Sequence, residues 1–256
     1  WKRQQVLAST YRQGNVLLAG DAAHVMVPTG GFGANTGIGD SVDLAWKLNA
    51  MQTGWAQKKL LDTYETERRP IALRNMKAAL RNYKAWTPGS ALSLIEENSP
   101  QGTRARAMIG EELVEGTRAE WDSTGMALGY SYLDSPICVP DGTPVPPDDP
   151  ADYIPTARPG SRAPHAWVAE GWSTLDLFGH GFTLLRFAGR NTAELEPLHS
   201  AAEARKLPLH VEDIRNSQIA GLYAARLVLV RPDGHVAWRG EVMPPADELL
   251  VMATGG

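Results

Sequence analysis

Cysteine occurs once in these 256 residues, at Cys138. A lone thiol excludes an internal disulfide and any Cys-x-x-Cys redox or zinc motif, so a reducing, cytoplasmic setting is the default expectation. No apolar run approaches the roughly 20 residues needed to span a bilayer. The opening "WKRQQVLAST" lacks the apolar core of a secretion signal. Positive charge is not in excess: 25 Lys and Arg face 29 Asp and Glu, a formal net charge of −4. That balance argues against broad nucleic-acid binding. No metal site is expected. The remaining composition, 43% hydrophobic and 21% charged, is that of a globular protein.

The informative stretch is "LLAGDAAHVMVPTGGFGANTGIGD", residues 17–40. Its lead-in "NVLLAGD" (15–21) has the pattern of a buried strand ended by Gly20 and Asp21. A glycine-rich loop runs to about residue 34. From Asn35, the residues Ile38, Val42, Ala45, Trp46, Leu48 and Met51 recur near a 3.6 period and predict a helix, with Gly54 as its stop. An aspartate fixed at a strand end accepts from hydroxyl groups through charge-assisted bonds, about twice as strong as neutral ones. Glycines let backbone N–H groups approach a flat or charged ligand. A helix N-terminus stabilises negative charge by roughly 0.3–1 kcal/mol. A ligand with a hydroxylated tail and a ring that becomes anionic suits all three features, and reduced flavin is such a ligand. A glycine-rich turn on its own also commonly serves packing alone.

Downstream, "KKLLDTYETERRPIALRNMKAALRNYKAW" (58–86) predicts a long helix that Pro70 should kink or divide. Within residues 88–126, "GTRARAMIGEELVEGTRAEWD" (102–122) predicts one or two helices, and "GYSYLDSPI" (129–137) is short and strand-like. Residues 139–165, dense in Pro, Asp and Gly, predict an extended connector at a domain boundary. The last hundred residues predict strand 182–189, helix 192–207, strand 208–214, two strands within 225–240 joined at Arg231-Pro232-Asp233-Gly234, and helix 245–254.

Two separate segments carry a family resemblance. "GNVLLAGDAAHVMVPTGGFGANTGIGDSVDLAWKL" (14–48) and "LLDTYETERRP" (60–70) resemble the second FAD-binding motif of the FAD-dependent aromatic-ring monooxygenases of the para-hydroxybenzoate hydroxylase type. "RPGSRAPHAW" (158–167) and "LVRPDGHVAWR" (229–239) are similar to the tail of the phenol hydroxylase and polyketide hydroxylase branch. The resemblance implies an α/β chain. Residues 1–138 would be the C-terminal half of a glutathione-reductase-like FAD-binding domain, 139–165 a connector, and 166–256 a thioredoxin-like β-α-β-β-β-α domain without its cysteine pair.

The same resemblance implies site roles. Asp21 would bind the ribityl chain of FAD. Pro28 and Thr29 would lie beside the flavin, and Gly31 with the N–H groups of Gly33, Ala34 and Asn35 would face its pyrimidine ring. His24 would order the loop and Trp46 would be core. Glu67 and Arg68 would pair on a helix surface or dock against the flavin domain. Trp1, Pro28, Thr29, Glu120 and Trp121 are candidate substrate contacts, and residues 79–99 a candidate gate. No catalytic residue is evident.

The implied activity uses FAD, NAD(P)H as reductant and O2 to hydroxylate a polycyclic aromatic polyketide or indolocarbazole intermediate through a flavin C4a-hydroperoxide. The family's GxGxxG turn and DG fingerprint do not occur here. An N-terminal half of the same protein is therefore an expected partner, a homodimer is possible, and the isolated chain is not expected to hold FAD tightly. The alternative is a non-catalytic folding or dimerisation module. A third reading, a thioredoxin-like redox protein, is weakened by the missing cysteine pair.

Overall fold

A computed structural model describes residues 4–86, 92–187 and 195–256. Its first segment forms two small antiparallel pairs. Strand β1 (Val6–Leu7) pairs with β4 (His24–Val25), and β2 (Arg12–Gln13) pairs with β3 (Val16–Leu17). The expected buried strand over 15–21 is thus only two residues of a hairpin, and Val16 is exposed. Gly20 adopts φ +58° and turns the chain into a 3-10 turn, Gly20–Ala22, which carries Asp21.

Helix α1 (Phe32–Thr53) starts three residues earlier than expected, because Gly31 takes a left-handed conformation at its N-cap. It ends, as expected, at left-handed Gly54. The period was right and the phase was not. Ile38 and Val42 are 61% and 49% exposed, while Thr36, Asp40, Asp43 and Lys47 are buried beside Phe32, Trp46 and Ala50. Helix α2 (Thr63–Ala85) follows a 3-10 turn, Lys58–Asp62. Pro70 lies within α2 without dividing it, and its ring is exposed. Helix α3 (Pro100–Trp121) is capped by Ser99, whose Oγ accepts the Gly102 N–H. A short α4 (Thr124–Leu128) follows. The strand expected over 129–137 is reduced to one bridge, Ser131 to Ser161.

After a hairpin of β5 (Trp167–Ala169) and β6 (Trp172–Ser173), a four-stranded sheet forms. Central β7 (Phe182–Arg186) runs parallel to β8 (Leu209–Asp213) and antiparallel to β9 (Leu227–Val230). Strand β10 (Val236–Gly240) closes the order β10-β9-β7-β8. The parallel pair needs a crossover, and α5 (Glu196–Ala204) supplies its described helix. Helix α6 (Ser217–Tyr223) was not expected. Asn216 caps it, its side-chain oxygen accepting from the N–H groups of Gln218 and Ile219. Helix α7 (Ala246–Ala253) ends the fold. The observed order is β-α-β-α-β-β-α, one helix more than the sequence reading. No helix among the described residues is long and apolar enough to cross a membrane.

The apolar core crosses the expected boundary. Trp46, Ala50, Trp55 and Leu60 pack with Phe182, Leu184, Leu198, Leu229 and Leu250. Trp46 stacks on Trp55, and both meet Phe182 edge-on at 6.2 and 6.1 Å. Residues 139–165 form no strand, yet they are fastened: Val139 N–H donates to Ala237 at 2.7 Å, Gly160 N–H to Val236 at 2.8 Å, and Ala157 and Ala163 are buried.

A buried ionic network runs across the same junction. Arg231 donates to both Glu67 oxygens (2.5 and 2.9 Å), to Asp233 (2.5 Å) and to Asp43 (3.2 Å). Lys47 donates to Asp43 (2.7 Å) and Glu67 (2.6 Å). Glu67 and Arg68 therefore do not pair on a surface. Both are buried, and Arg68 binds Asp40 instead, because each charge taken out of water needs an opposite partner. Burial alone would raise the Glu67 and Asp233 carboxyls. The Arg231 charge outweighs it, joined by Lys47 at Glu67 and by His235 at Asp233, so both lie below the ordinary range. Burial, with Glu67 nearby, pushes Asp43 above it.

Removing one partner of a buried pair costs about 3–5 kcal/mol, so Glu67→Ala should lower the unfolding free energy measured by chemical denaturation by that order. The carboxylates held low, Glu67, Asp233 and Asp40, contribute stability that is complete above about pH 4 and is lost as pH falls below it. Asp43 works in the opposite sense and offsets part of the loss. Glu67→Gln should therefore flatten the acid limb of stability against pH, and an unchanged limb would contradict this assignment.

Candidate functional site

The glycine-rich stretch divides into glycines that face protein and glycines that face outward. A Cβ on Gly37 would come within 3.2 Å of the Gly20 Cα, and one on Gly39 within 2.5 Å of the Arg68 guanidinium. These two let the Asp21 turn and α2 close onto α1. Gly31 and Gly33 have no such crowding; added Cβ atoms would find nothing nearer than 4.0 and 3.7 Å.

The turn is held from below by Asp40. Its Oδ2 accepts the Gly20 N–H at 3.1 Å and lies 2.7 Å from His24 Nε2. Its Oδ1 accepts Arg68 Nε at 2.9 Å. Burial would raise the Asp40 carboxyl, but the His24 and Arg68 bonds hold it below its usual range. His24 thus orders the loop, as expected. Asp40 itself was missed. It sits between small and apolar residues in "GIGDSV", and nothing local shows that a buried arginine from α2 and a turn twenty residues earlier converge on it.

Above this base the cofactor candidates are open. Asp21 is exposed, and its carboxylate makes no hydrogen bond or ion pair among the described residues. Pro28, Gly31, Ala34 and Asn35 are exposed and Gly33 is half-buried. With Gly31 as N-cap, the N–H groups of Phe32, Gly33 and Ala34 have no partner within the helix, whereas the Asn35 N–H belongs to the first intrahelical bond. Asn35 also returns its side-chain amide to the Gly31 carbonyl at 2.8 Å. The open donors therefore lie one residue earlier than Gly33–Asn35.

The substrate candidates scatter. Thr29 Oγ1 donates to the Ala79 carbonyl at 2.5 Å, which pins the loop to α2. Glu120, on the last turn of α3, accepts the Gly30 N–H (3.0 Å) on Oε1 and the Trp86 indole N–H (2.6 Å) on Oε2. In this structure it clamps the loop. Trp121 is 76% exposed and points away from burial. Trp1 lies outside the described residues, as do residues 87–91 of the candidate gate. Among the described residues no cluster of His, Cys, Asp and Glu could hold a metal.

The features that could hold part of a flavin are a carboxylate with no partner among the described residues, a turn fixed by Asp40, and an adjacent helix N-terminus. Comparison with known proteins bears on the chain's family. Residues 1–79 match the FAD binding domain family, and residues 156–254 match the family described as aromatic-ring hydroxylase, C-terminal. The FAD-dependent monooxygenase apdD of Emericella nidulans is 38% identical over all of this chain and 43% of its own length. The tetracenomycin A2 monooxygenase-dioxygenase of Streptomyces glaucescens is 38% identical over 95% of this chain and 41% of its own length. The rebeccamycin biosynthetic enzyme RebC, solved with reduced flavin, is 40% identical with a TM-score of 0.89, covering 100% of this chain and 48% of that one. An aklavinone-11 hydroxylase, solved with FAD and aklavinone, is 30% identical with a TM-score of 0.73, covering 99% of this chain and 46% of that one. The chain thus spans less than half the length of each.

Hydrogen bonds to a charged acceptor contribute about 1.5–3 kcal/mol. Glu120→Ala should speed amide exchange at Gly30 roughly tenfold or more, with a loss of global stability no larger than those bonds contribute. Exchange at Gly30 as slow as in the wild type would show that Glu120 does not hold the loop.

Proposed function

We propose that this chain belongs to the FAD-dependent aromatic-ring hydroxylase family and forms the flavin-ring and ribityl side of the cofactor site in a monooxygenase acting on a polycyclic aromatic intermediate. The observation that carries this is Asp21, an exposed carboxylate with no partner among the described residues, next to the turn that Asp40 fixes.

In this reading Asp21 accepts hydroxyl donors of the ribityl chain. The open N–H groups of Phe32, Gly33 and Ala34 lie against the pyrimidine edge, where the helix N-terminus favours a developing negative charge. Thr29 and Glu120 set the height of the Pro28–Gly31 loop through Ala79 and Trp86. Bound FAD, reduced by NAD(P)H, supplies the oxygen-activating chemistry; the residues of this chain position it. The remaining half of the site, and the walls of a substrate pocket, belong to an upstream part of the protein in this reading. A polyketide or indolocarbazole substrate is supported by the relatives that act in tetracenomycin, aklavinone and rebeccamycin chemistry.

The strand order β10-β9-β7-β8, with one parallel pair and helices between, supports a thioredoxin-like reading of the C-terminal unit. Cys138 is buried and sits outside that unit, and its thiol is raised by burial, so the unit's role in this reading is structural.

Asp21→Ala in the complete protein should weaken FAD binding by roughly tenfold or more, the loss of a charged acceptor. Stability should change by less than about 0.5 kcal/mol, since an exposed group without partners is removed. Wild-type FAD affinity in the variant, measured by fluorescence titration, would refute the assignment.

A further inference from the structure

The two edges of the four-stranded sheet end differently. The outer edge of β10 is occupied. The carbonyls of Ala237 and Val236 accept the N–H groups of Val139 (2.7 Å) and Gly160 (2.8 Å), and the Val236 N–H donates to Ser161 (2.9 Å). Strand β8 is last on the other side, and among the described residues it pairs only with β7. In a parallel ladder alternate residues bond to the neighbouring strand. The Pro208 carbonyl accepts the Phe182 N–H and the Ile214 N–H donates to Arg186, both at 2.9 Å. His210 and Glu212, in step with them, also turn their main chain to β7. Leu209 and Val211 therefore direct N–H and C=O away from the sheet, where no hydrogen-bond partner lies among the described residues.

Exposed edges of this kind are commonly blunted by charges, by proline or by a covering segment. No proline lies within β8, and its charges do not form a guard of one sign. His210 and Glu212 share a face of the strand, and His210 Nε2 lies 3.1 Å from Glu212 Oε2. Both side chains reach solvent, at 60% and 35% exposure. Leu209 and Val211 pack against the apolar core on the other face, yet both stay half-buried, with no strand beyond them.

This edge is complementary to itself. In an antiparallel pairing with a two-fold axis at Val211, that residue exchanges its N–H and C=O with Val211 of a second copy. His210 then falls opposite Glu212 of the second copy, and Glu212 opposite its His210. These are the non-hydrogen-bonded positions of the ladder, where facing side chains come closest. A neutral or a protonated imidazole can donate to the carboxylate there. Leu209 meets Asp213 of the second copy, a residue whose carboxylate is engaged by Arg186. We propose that β8 is a self-association edge, through which two copies of this chain join their sheets into one. The strand has five residues, little area for an interface, so the dimer is a weak one. The edge does not depend on the flavin reading.

The test is sedimentation velocity on the complete protein at micromolar concentration, together with amide exchange at Leu209 and Val211. A monomer–dimer equilibrium is expected, and exchange at both amides should slow as concentration rises. His210→Glu sets like charges opposite each other twice per dimer and should weaken association roughly tenfold or more. Adding Glu212→Lys to it restores opposite charges in both pairs and should restore the dimer. Should His210→Glu fold poorly, the concentration dependence of exchange in the wild type carries the test. A monomer at every concentration would overturn the proposal, as would a dimer that His210→Glu leaves intact or one that the double variant fails to restore. Slow exchange at Val211 independent of concentration, as a covering segment of the same chain would give, would overturn it too. Asp21→Ala should leave the equilibrium unchanged; its FAD affinity is scored separately, so the two readings fail independently.

Discussion

Arg231 sits at the start of the turn between β9 and β10, fully buried, with its guanidinium spread over Glu67, Asp43 and Asp233 and its faces 5.2 and 5.1 Å from the rings of Trp46 and Tyr132. Desolvating these ions costs several kcal/mol each, so the network is poor evidence for net stability. Its consequence is geometric. Glu67 is on α2, and Asp43 and Lys47 are on α1, so only one rotation of each helix satisfies the arginine of the C-terminal unit. That rotation turns the charged stripe of α1 inward and leaves Ile38 and Val42 outside. It also sends Asp40, one turn earlier on the same stripe, to the Gly20 turn. The orientation of Asp21 is thus tied to an ion pair whose partners are 164 residues apart in sequence.

This explains which parts of the fold could be read from the chain. The existence of α1 and α2, the stop at Gly54, the Arg-Pro-Asp-Gly turn and the strands β7 to β10 follow from local pattern and turn chemistry, which act within a few residues. The phase of α1 does not, because apolar periodicity assumes that charges face water. Here three charged side chains of α1 are buried with partners from α2 and from the β9–β10 turn, and pattern alone cannot see partners. The same blindness allowed Glu67 and Arg68 a pairing on a helix surface, one of the two alternatives the sequence left open. Helix α6 was missed for a different reason. Seven residues capped by Asn216 give too short a window for a periodic signal, and "RNSQ" reads equally well as a loop.

The candidate site was legible as chemistry and less so as geometry. The motif named Asp21 and the helix N-terminus, and the structure leaves both open. It did not reveal the division of labour among the glycines. Gly37 and Gly39 are small so that protein can approach protein, whereas an added Cβ at Gly31 or Gly33 would meet no closer than ordinary contact. Nor did it reveal that Glu120, from a helix end ninety positions away, is committed to the Gly30 N–H. A carboxylate whose two oxygens already hold a backbone donor and an indole can meet a ligand only by giving one of them up.

The segment 139–165 carries the same lesson into composition. Its prolines and aspartates read as a linker because they disfavour helix and sheet. Those properties do not prevent a segment from being fixed. Proline needs no donor partner, and aspartate can satisfy its neighbours' N–H groups, as Asp149 does for Ala151 and Asp152. Such a chain can lie against α4 with its few remaining groups paired, and its irregular path leaves room that a helix or strand would fill. A cavity beside Tyr153 is that room, so the segment acts as a wall of the fold as well as a connection through it.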